Sequence, residues 1–341
     1  MKDQIRNACI IAALSVLCII IVSGGKKEMH TISLYDVFDT YCEISVSGKN
    51  SEKALADCRE LLEKYHAMWN VNDPDSEISK LNDNAGKESV ALSADTIDIL
   101  DRSKKYSLET NGFFDITVGA AAKLWNIPNE PRVPTKEELA EVIHKTGSEL
   151  LEVDSDHAFL KKEGASITLG AIAKGYATEK LAEILKQNKI NSALINLGGN
   201  VYALGSGTDG RLWNVGIADP RNDGETIGSI EVSNKAVITS AGNYRYFEEN
   251  GVRYSHILNP FTASPANSGL LSVTVISANP TDADVLSTAC YVIGYQQSVP
   301  LLNEYNADAV FVTENGTVYY TGGIADSFKY ENTNYEYKLI K

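Results

Sequence analysis

Strand-like and helix-like segments follow one another along this chain without a regular strand-helix-strand alternation. A doubly wound parallel sheet needs that alternation, because a helix usually carries each parallel crossover. The order therefore predicts an α+β fold. Thr31 to Val46 reads as strand, with polar interruptions at Asp36, Asp39 and Thr40. Ser51 to Met68 places Leu55, Leu61, Leu62 and Tyr65 at helical spacing. Ser93 is placed to cap a second helix that runs to about Leu108, and Pro134-Thr135 opens a third from Lys136 to Lys145. Leu150 to Thr168 reads as a hairpin across Asp154-Ser155-Asp156, Ala171 to Gln187 as a helix, and Ser192 to Leu204 as a strand broken by Gly198-Gly199. Short strands dominate from Leu212 to Val275. A helix from about Thr281 to Ile293 follows, then strands at Ala309–Val312 and Thr317–Tyr320. No repeat, low-complexity tract or long linker divides the chain.

The first 25 residues stand apart. Lys2 and Arg6 form a basic start, Ala8 to Val22 is an almost unbroken apolar run, and Ser23-Gly24-Gly25 follows before Lys26 and Lys27. Basic, apolar, small is the layout of a bacterial export signal. The run is short against the roughly 20 residues a membrane span needs, so cleavage after Gly24 and retention as an anchor are both open. Cys18 follows Leu17, which is not the small residue a lipoprotein signal prefers. The expected organisation is a signal or anchor over 1–25 and a single large mixed domain over 26–341, exported to the outer face of the cytoplasmic membrane, the cell surface or the periplasm.

A formal charge of −14 repels nucleic-acid backbones, so DNA and RNA are not expected partners. Cys42, Cys58 and Cys290 cannot all pair and have no C-x-x-C spacing, so they read as buried structural thiols.

Four stretches carry candidate chemistry. Gly112 to Gly119 sets Phe113 and Phe114 beside Asp115, a wall for a flat ring with an acceptor next to it, or else a core pair beside a capping acid. Leu169 to Ala177 has Gly170 at a turn into a helix whose free N–H groups can face a phosphate, with Lys174 adding a positive charge. The order is not that of a P-loop. Thr239 to Arg245 is followed by Tyr254-Ser255-His256-Ile257 and an Asn259-Pro260 turn, where His256 is a base or only bonds its own loop. In Thr281 to Thr288, Asp284 and Thr288 lie four apart, so on a helix both oxygens face one way, as an Mg²⁺ shell requires. Thr281 with Asp284 equally resembles a capping box. Asn196-Leu197-Gly198-Gly199-Asn200 adds a glycine pair in a strand, where a ligand or another backbone can approach.

Together and in this order, these segments resemble the ApbE family of FAD:protein FMN transferases. The resemblance runs from about Leu34 to Gly294 and takes in Pro74 to Asn82, Phe114 to Gly119 with Leu124-Trp125, Ala171 to Ala177, Asn196 to Asn200, Tyr254 to Ile257, and Ala283 to Ala289. It implies a T-fold-like domain of α+β class. It also implies that Asp284, Thr288 and the Ala171 carbonyl hold Mg²⁺, and that Phe38, Phe113, Phe114, Asp115, Thr168, Lys174 and Leu258 line the FAD site. His256 and Asp284 take the catalytic roles. The implied partners are FAD, an acceptor flavoprotein offering a Thr or Ser hydroxyl, and the membrane if the N-terminal segment is retained. AMP leaves. FAD hydrolysis to FMN and AMP, and non-catalytic surface binding of FAD, are the alternatives. The sequence departs from the family at Thr168, where an Asp is common, at Ala241 and Ala263, and at Asp39, where Gly is usual. Each departure bears on flavin affinity more than on reaction type.

Overall fold

The computed structural model describes residues 28–127 and 129–340. The export segment and Cys18 lie outside the described residues. Nine strands form the main sheet: β1 (His30–Val37), β2 (Thr40–Ser47), β3 (Ser192–Leu197), β4 (Asn200–Gly205), β5 (Lys235–Ala241), β6 (Leu270–Ser277), β7 (Asp308–Thr313), β8 (Thr317–Tyr320) and β9 (Glu336–Leu339). Each strand lies beside its predecessor in the chain. Neighbours are antiparallel except β8 and β9. The mixed α+β architecture is thus the one the element order predicts.

Eight helices accompany the sheet among the described residues: α1 (Ser51–Trp69), α2 (Glu77–Asp83), α3 (Ala94–Glu109), α4 (Gly119–Trp125), α5 (Lys136–Ile143), α6 (Ala173–Gln187), α7 (Pro280–Ile293) and α8 (Tyr295–Glu304). None of them is long and apolar enough to cross a membrane. Strand residues alternate between two cores, as a pleat with period two demands. Ile195, Tyr202, Ile238, Val275 and Phe311 join the helix-side core. Their neighbours Leu194, Val201, Val237, Ile276 and Val310 join a second core. That second core lies under a three-stranded sheet made by residues Trp213–Ala218, Thr226–Val232 and Phe328–Tyr330. Burial on both faces is why β7 reads as an unbroken apolar run. A third, small core around Trp125 joins α4, α5 and the 258–263 loop.

Several local features differ from the expectations. The single strand over 31–46 is a hairpin: Asp39 lies in the turn with Phe38, Asp36 sits at an irregularity of β1 and Thr40 opens β2, with Asp36, Phe38 and Asp39 all at positive φ. Gly198 and Gly199, at φ 61° and 93°, form the two-residue turn from β3 to β4 rather than a flaw in one strand. A Cβ on Gly198 would sit 2.4 Å from the Thr40 hydroxyl, so what the glycine makes room for is a side chain of β2. Helix α6 starts at Ala173, leaving Ala171 in the loop before it. The hairpin over 150–168 forms its strands at Leu151–Val153 and His157–Leu160. Helices α2, α4 and α8 go beyond what the sequence pattern predicts. The first two are seven residues each, and Pro300 inside α8 masks its helical pattern. Cys42, Cys58 and Cys290 are buried free thiols, and burial pushes each thiol pKa up to about 12.

Candidate active site

Helix α7 begins with Asn279, whose side chain accepts from Asp282 N at 3.0 Å, and with Pro280 in the first turn. The capping role considered for Thr281 and Asp284 therefore falls two residues earlier. Thr281 instead donates to Glu179 on α6, and Asp284 is left for a tertiary contact. Its carboxylate is 3% exposed. Oδ2 accepts from the backbone N–H of Gly175 at 2.8 Å, and Oδ1 accepts from Asn200 Nδ2 at 2.9 Å. Gly175 belongs to the first turn of α6, where N–H groups have no partner within the helix, so the carboxylate sits at the positive end of the helix dipole. A Cβ on Gly175 would lie 2.5 Å from both Asp284 Cβ and the Pro280 carbonyl oxygen. Only glycine allows α6 and α7 to approach so closely.

An ionised carboxylate has about four acceptor sites, so two donated bonds leave Asp284 able to take a cation. Thr288 follows one turn later on α7. Its hydroxyl is 3.2 Å from that of Ser240 on β5, which in turn lies 2.8 Å from the Ser287 hydroxyl. Ser287 donates to the Asp284 carbonyl at 2.8 Å. The loop before Ala171 is held by Asn82, whose amide pairs with both Ile167 N at 2.7 Å and Ile167 O at 3.1 Å. Thr168 N donates to Ile116 O at 2.8 Å, so the Phe113–Asp115 segment and the Ala171 loop are fastened side by side. No three His, Cys, Asp or Glu residues among the described ones are grouped to hold a metal. What stands here is an oxygen set of one carboxylate and one hydroxyl a helical turn apart. That set fits Mg²⁺, which keeps several waters and takes few protein ligands.

His256 is fixed by the Arg245 carbonyl, which accepts from His256 N at 3.0 Å and lies 3.2 Å from Nδ1. A carbonyl only accepts, so Nδ1 carries the proton and Nε2 keeps its lone pair. Desolvation, the Arg245 guanidinium and the Lys174 ammonium draw the imidazole pKa down to about 4. The side chain is nevertheless open to solvent, which blunts the desolvation part and leaves the two cations as the firmer cause. Lys174 donates to Gly170 O at 3.4 Å, and Arg245 Nη2 donates to the Asp39 carbonyl at 3.2 Å. Residues far apart in sequence thus form one positive rim beside the α6 N-terminus.

The aromatic candidates separate. Phe113 is half-buried and meets Phe261 edge-on, ring centroids 5.1 Å apart. Phe114 is 1% exposed and packs edge-on against Tyr106; its ring has no free face for a flavin, which corrects its place among the ring-lining residues. Leu258 is likewise buried in the Trp125 core. Asp115 accepts from Thr117 N at 2.8 Å and Thr117 Oγ1 at 2.6 Å, and burial raises its pKa against those bonds. Phe38 is half-buried beside Trp69, its backbone N–H donating to His66 Nδ1 at 3.2 Å. The structure brings together Asp284, Thr288, Lys174 and His256, and adds Asn200, Gly175, Ser240 and Asn82. All four additions fall inside stretches the sequence singles out, but nothing in the sequence gives them a contact with Asp284, Thr288 or the Ala171 loop.

A profile of the ApbE family matches residues 38–311. The chain belongs to the ApbE family. It is 33% identical to the FAD:protein FMN transferase of Treponema pallidum over 94% of this chain and 96% of that one. Among solved structures, the ApbE protein of Thermotoga maritima superposes with a TM-score of 0.79 at 31% identity, covering 85% of this chain and 96% of its own. The flavin transferase ApbE of Vibrio cholerae gives 0.75 at 26%, covering 90% and 99%. The ApbE match spans every element that supplies the site, from the Phe38 turn to the Thr288 turn of α7.

Proposed function

We propose that this chain is a Mg²⁺-dependent FAD:protein FMN transferase acting on a Thr or Ser hydroxyl outside the cytoplasmic membrane. The observation that carries the proposal is the seat of Asp284, a carboxylate locked by Gly175 N–H and Asn200 at the first turn of α6, with Lys174 and His256 at its rim. Asp284, Thr288 and the Ala171 carbonyl would hold Mg²⁺, which when bound neutralises pyrophosphate charge. Lys174 binds the FAD phosphates in place of the α6 N-terminus, because the N–H groups of Ala173, Gly175 and Tyr176 at the start of α6 already donate to Leu169 O, Asp284 and Ile172 O. Phe113 and Phe38 offer half-buried rings for the flavin. His256 Nε2 takes the proton of the acceptor hydroxyl. The hydroxyl oxygen then bonds to the phosphorus on the FMN side, the bridging P–O bond breaks, and AMP leaves with the electron pair.

Because His256 is open to solvent, water can occupy the acceptor's place, and hydrolysis to FMN and AMP is the second reaction of the same site. Incubating the protein with FAD, Mg²⁺ and an acceptor flavoprotein domain, then measuring intact masses, tests the proposal. The expected result is one FMN group, ester-linked through its own phosphate, on the acceptor and one AMP released. FMN and AMP without an adduct would make the chain a hydrolase, and intact FAD throughout would make it a binding protein.

The basic start and apolar run at residues 1–25 support export of the domain. Protease added to intact cells or spheroplasts is expected to cut it while cytoplasmic controls survive. Protection of the domain under conditions that cut a surface control defeats the outside location.

A further inference from the structure

The turn between β1 and β2 holds a backbone conformation that its residues do not favour. Phe38 and Asp39 have φ of 53° and 54°, and Phe38 is the one aromatic residue at positive φ among the described residues. A bulky side chain rarely takes this left-handed conformation, whereas glycine adopts it freely. Asp39 stands where glycine is usual in the family, so this chain makes the turn without the residue that makes it easy. Such a conformation persists only where the surrounding structure over-determines it, and it tends to do so at functional sites.

Two side chains from distant elements hold it. The Phe38 N–H donates to Nδ1 of His66, in the last turn of α1, at 3.2 Å. A backbone N–H only donates, so Nδ1 is the nitrogen that keeps its lone pair. On the other side of the turn, the Asp39 carbonyl accepts from Arg245 Nη2 at 3.2 Å. Both bonds are made by peptide groups that a change of φ at Phe38 or Asp39 would re-aim. The Phe38 ring, half-buried, stands edge-on to His66 with centroids 6.3 Å apart and lies nearly parallel to Trp69 at 6.5 Å. Arg245 also seats His256 through its own carbonyl, so the flavin side and the base side of the site meet at one residue. The reaction steps given above use neither the His66 ring nor the Arg245 guanidinium. What the two provide is order before binding, which lowers the cost of arranging the ring when FAD arrives.

We propose that His66 and Arg245 are positioning residues that hold the Phe38–Asp39 turn left-handed and so preset the Phe38 ring for FAD. The proposal rests on the flavin site given above. Apparent affinity falls with the fraction of time a site is competent, so a turn released about nine-tenths of the time raises the Kd of FAD about tenfold. That rise is expected for His66→Ala and for Arg245→Leu. His66→Asn, whose amide oxygen can accept in place of Nδ1, should recover most of it. In a Phe38→Ala background the same two changes should alter FAD affinity by about twofold at most, since the ring they position is gone. Hydrogen exchange of the free protein is the second readout. Peptides covering residues 36–41 should exchange about tenfold faster or more in either variant, with β6 and β7 unchanged as the check on folding. Unchanged exchange at 36–41 together with unchanged FAD affinity overturns the proposal. So does a loss of affinity that persists in full without the Phe38 ring, which would make His66 or Arg245 a direct FAD contact. Wild-type protein that binds FAD but labels no acceptor defeats the transferase reading alone. Wild-type protein that binds no FAD defeats the flavin site, while the exchange at 36–41 still decides whether His66 and Arg245 hold the turn.

Discussion

Replacing Asp284 by alanine is expected to abolish Mg²⁺-dependent transfer, by about a thousandfold for a lost metal contribution of several kcal/mol. Stability should fall as well. The carboxylate is buried and accepts from Gly175 N–H and Asn200 Nδ2, and its loss leaves two buried donors unpaired at about 1–3 kcal/mol each. Activity and thermal unfolding therefore both have to be read with and without Mg²⁺. The expected pattern is a wild-type melting temperature that Mg²⁺ raises, and a variant that melts lower and no longer responds. Asp284→Asn is the companion variant, since it keeps the shape and one acceptor oxygen while removing the charge. If either variant, assayed where it is folded, transfers FMN at the wild-type rate and still responds to Mg²⁺, Asp284 is only the tertiary cap of α6.

For His256→Ala the expected outcome is transfer slowed by about 10²–10⁴-fold, with FAD binding close to wild type. A threonine hydroxyl is a poor nucleophile near neutrality and needs a placed base. With its pKa drawn from 6.5 down to about 4, His256 is neutral at pH 7 and its Nε2 is free to act. The two neighbouring cations hold the imidazole below 6.5, so the acid limb of the wild-type rate should lie below 6.5, and it should vanish in the variant. The linkage to stability has the same sign. Between about 4 and 6.5 the unfolded chain binds more protons at this residue, so its contribution is complete above 6.5 and lost as pH falls toward 4. Solvent access to the ring keeps that contribution small. FAD affinity and labelling rate measured on one preparation decide the role. Equal loss of both makes His256 a pocket-shaping residue, and loss of neither moves the base elsewhere.

Much of the fold was legible because local chemistry determines it. Ser93 caps α3 by accepting from Thr96 N, and Thr135 forms a capping box with Glu138, both signalled by residue type and spacing. The hairpin at Asp154-Ser155-Asp156 and the long amphipathic α1 follow from turn chemistry and periodicity in the same way. The three-stranded layer over the second core was not legible as a layer: Trp213–Ala218 alternates buried and exposed residues, but which sheet that buried face covers is a matter of tertiary packing.

The site divides along the same line. The spacing of Asp284 and Thr288, the glycine turn before Lys174 and the turn-flanked His256 are local properties, and the sequence by itself presented them. It could not choose between a capping box and a ligand for Asp284, because that depends on Asn279 taking the cap and on Gly175 and Asn200 arriving from α6 and β4. Nor could it show that Phe114 and Leu258 are buried while Phe113 stays half-exposed at the edge of the main core, since neighbours along a chain diverge once packing selects a side. Hydrogen-bond spacing and turn preference act over a few residues and are written in the chain. The meeting of Asp284 with residues 84 and 109 positions away is set by which faces can be buried together, and only the tertiary structure decides that.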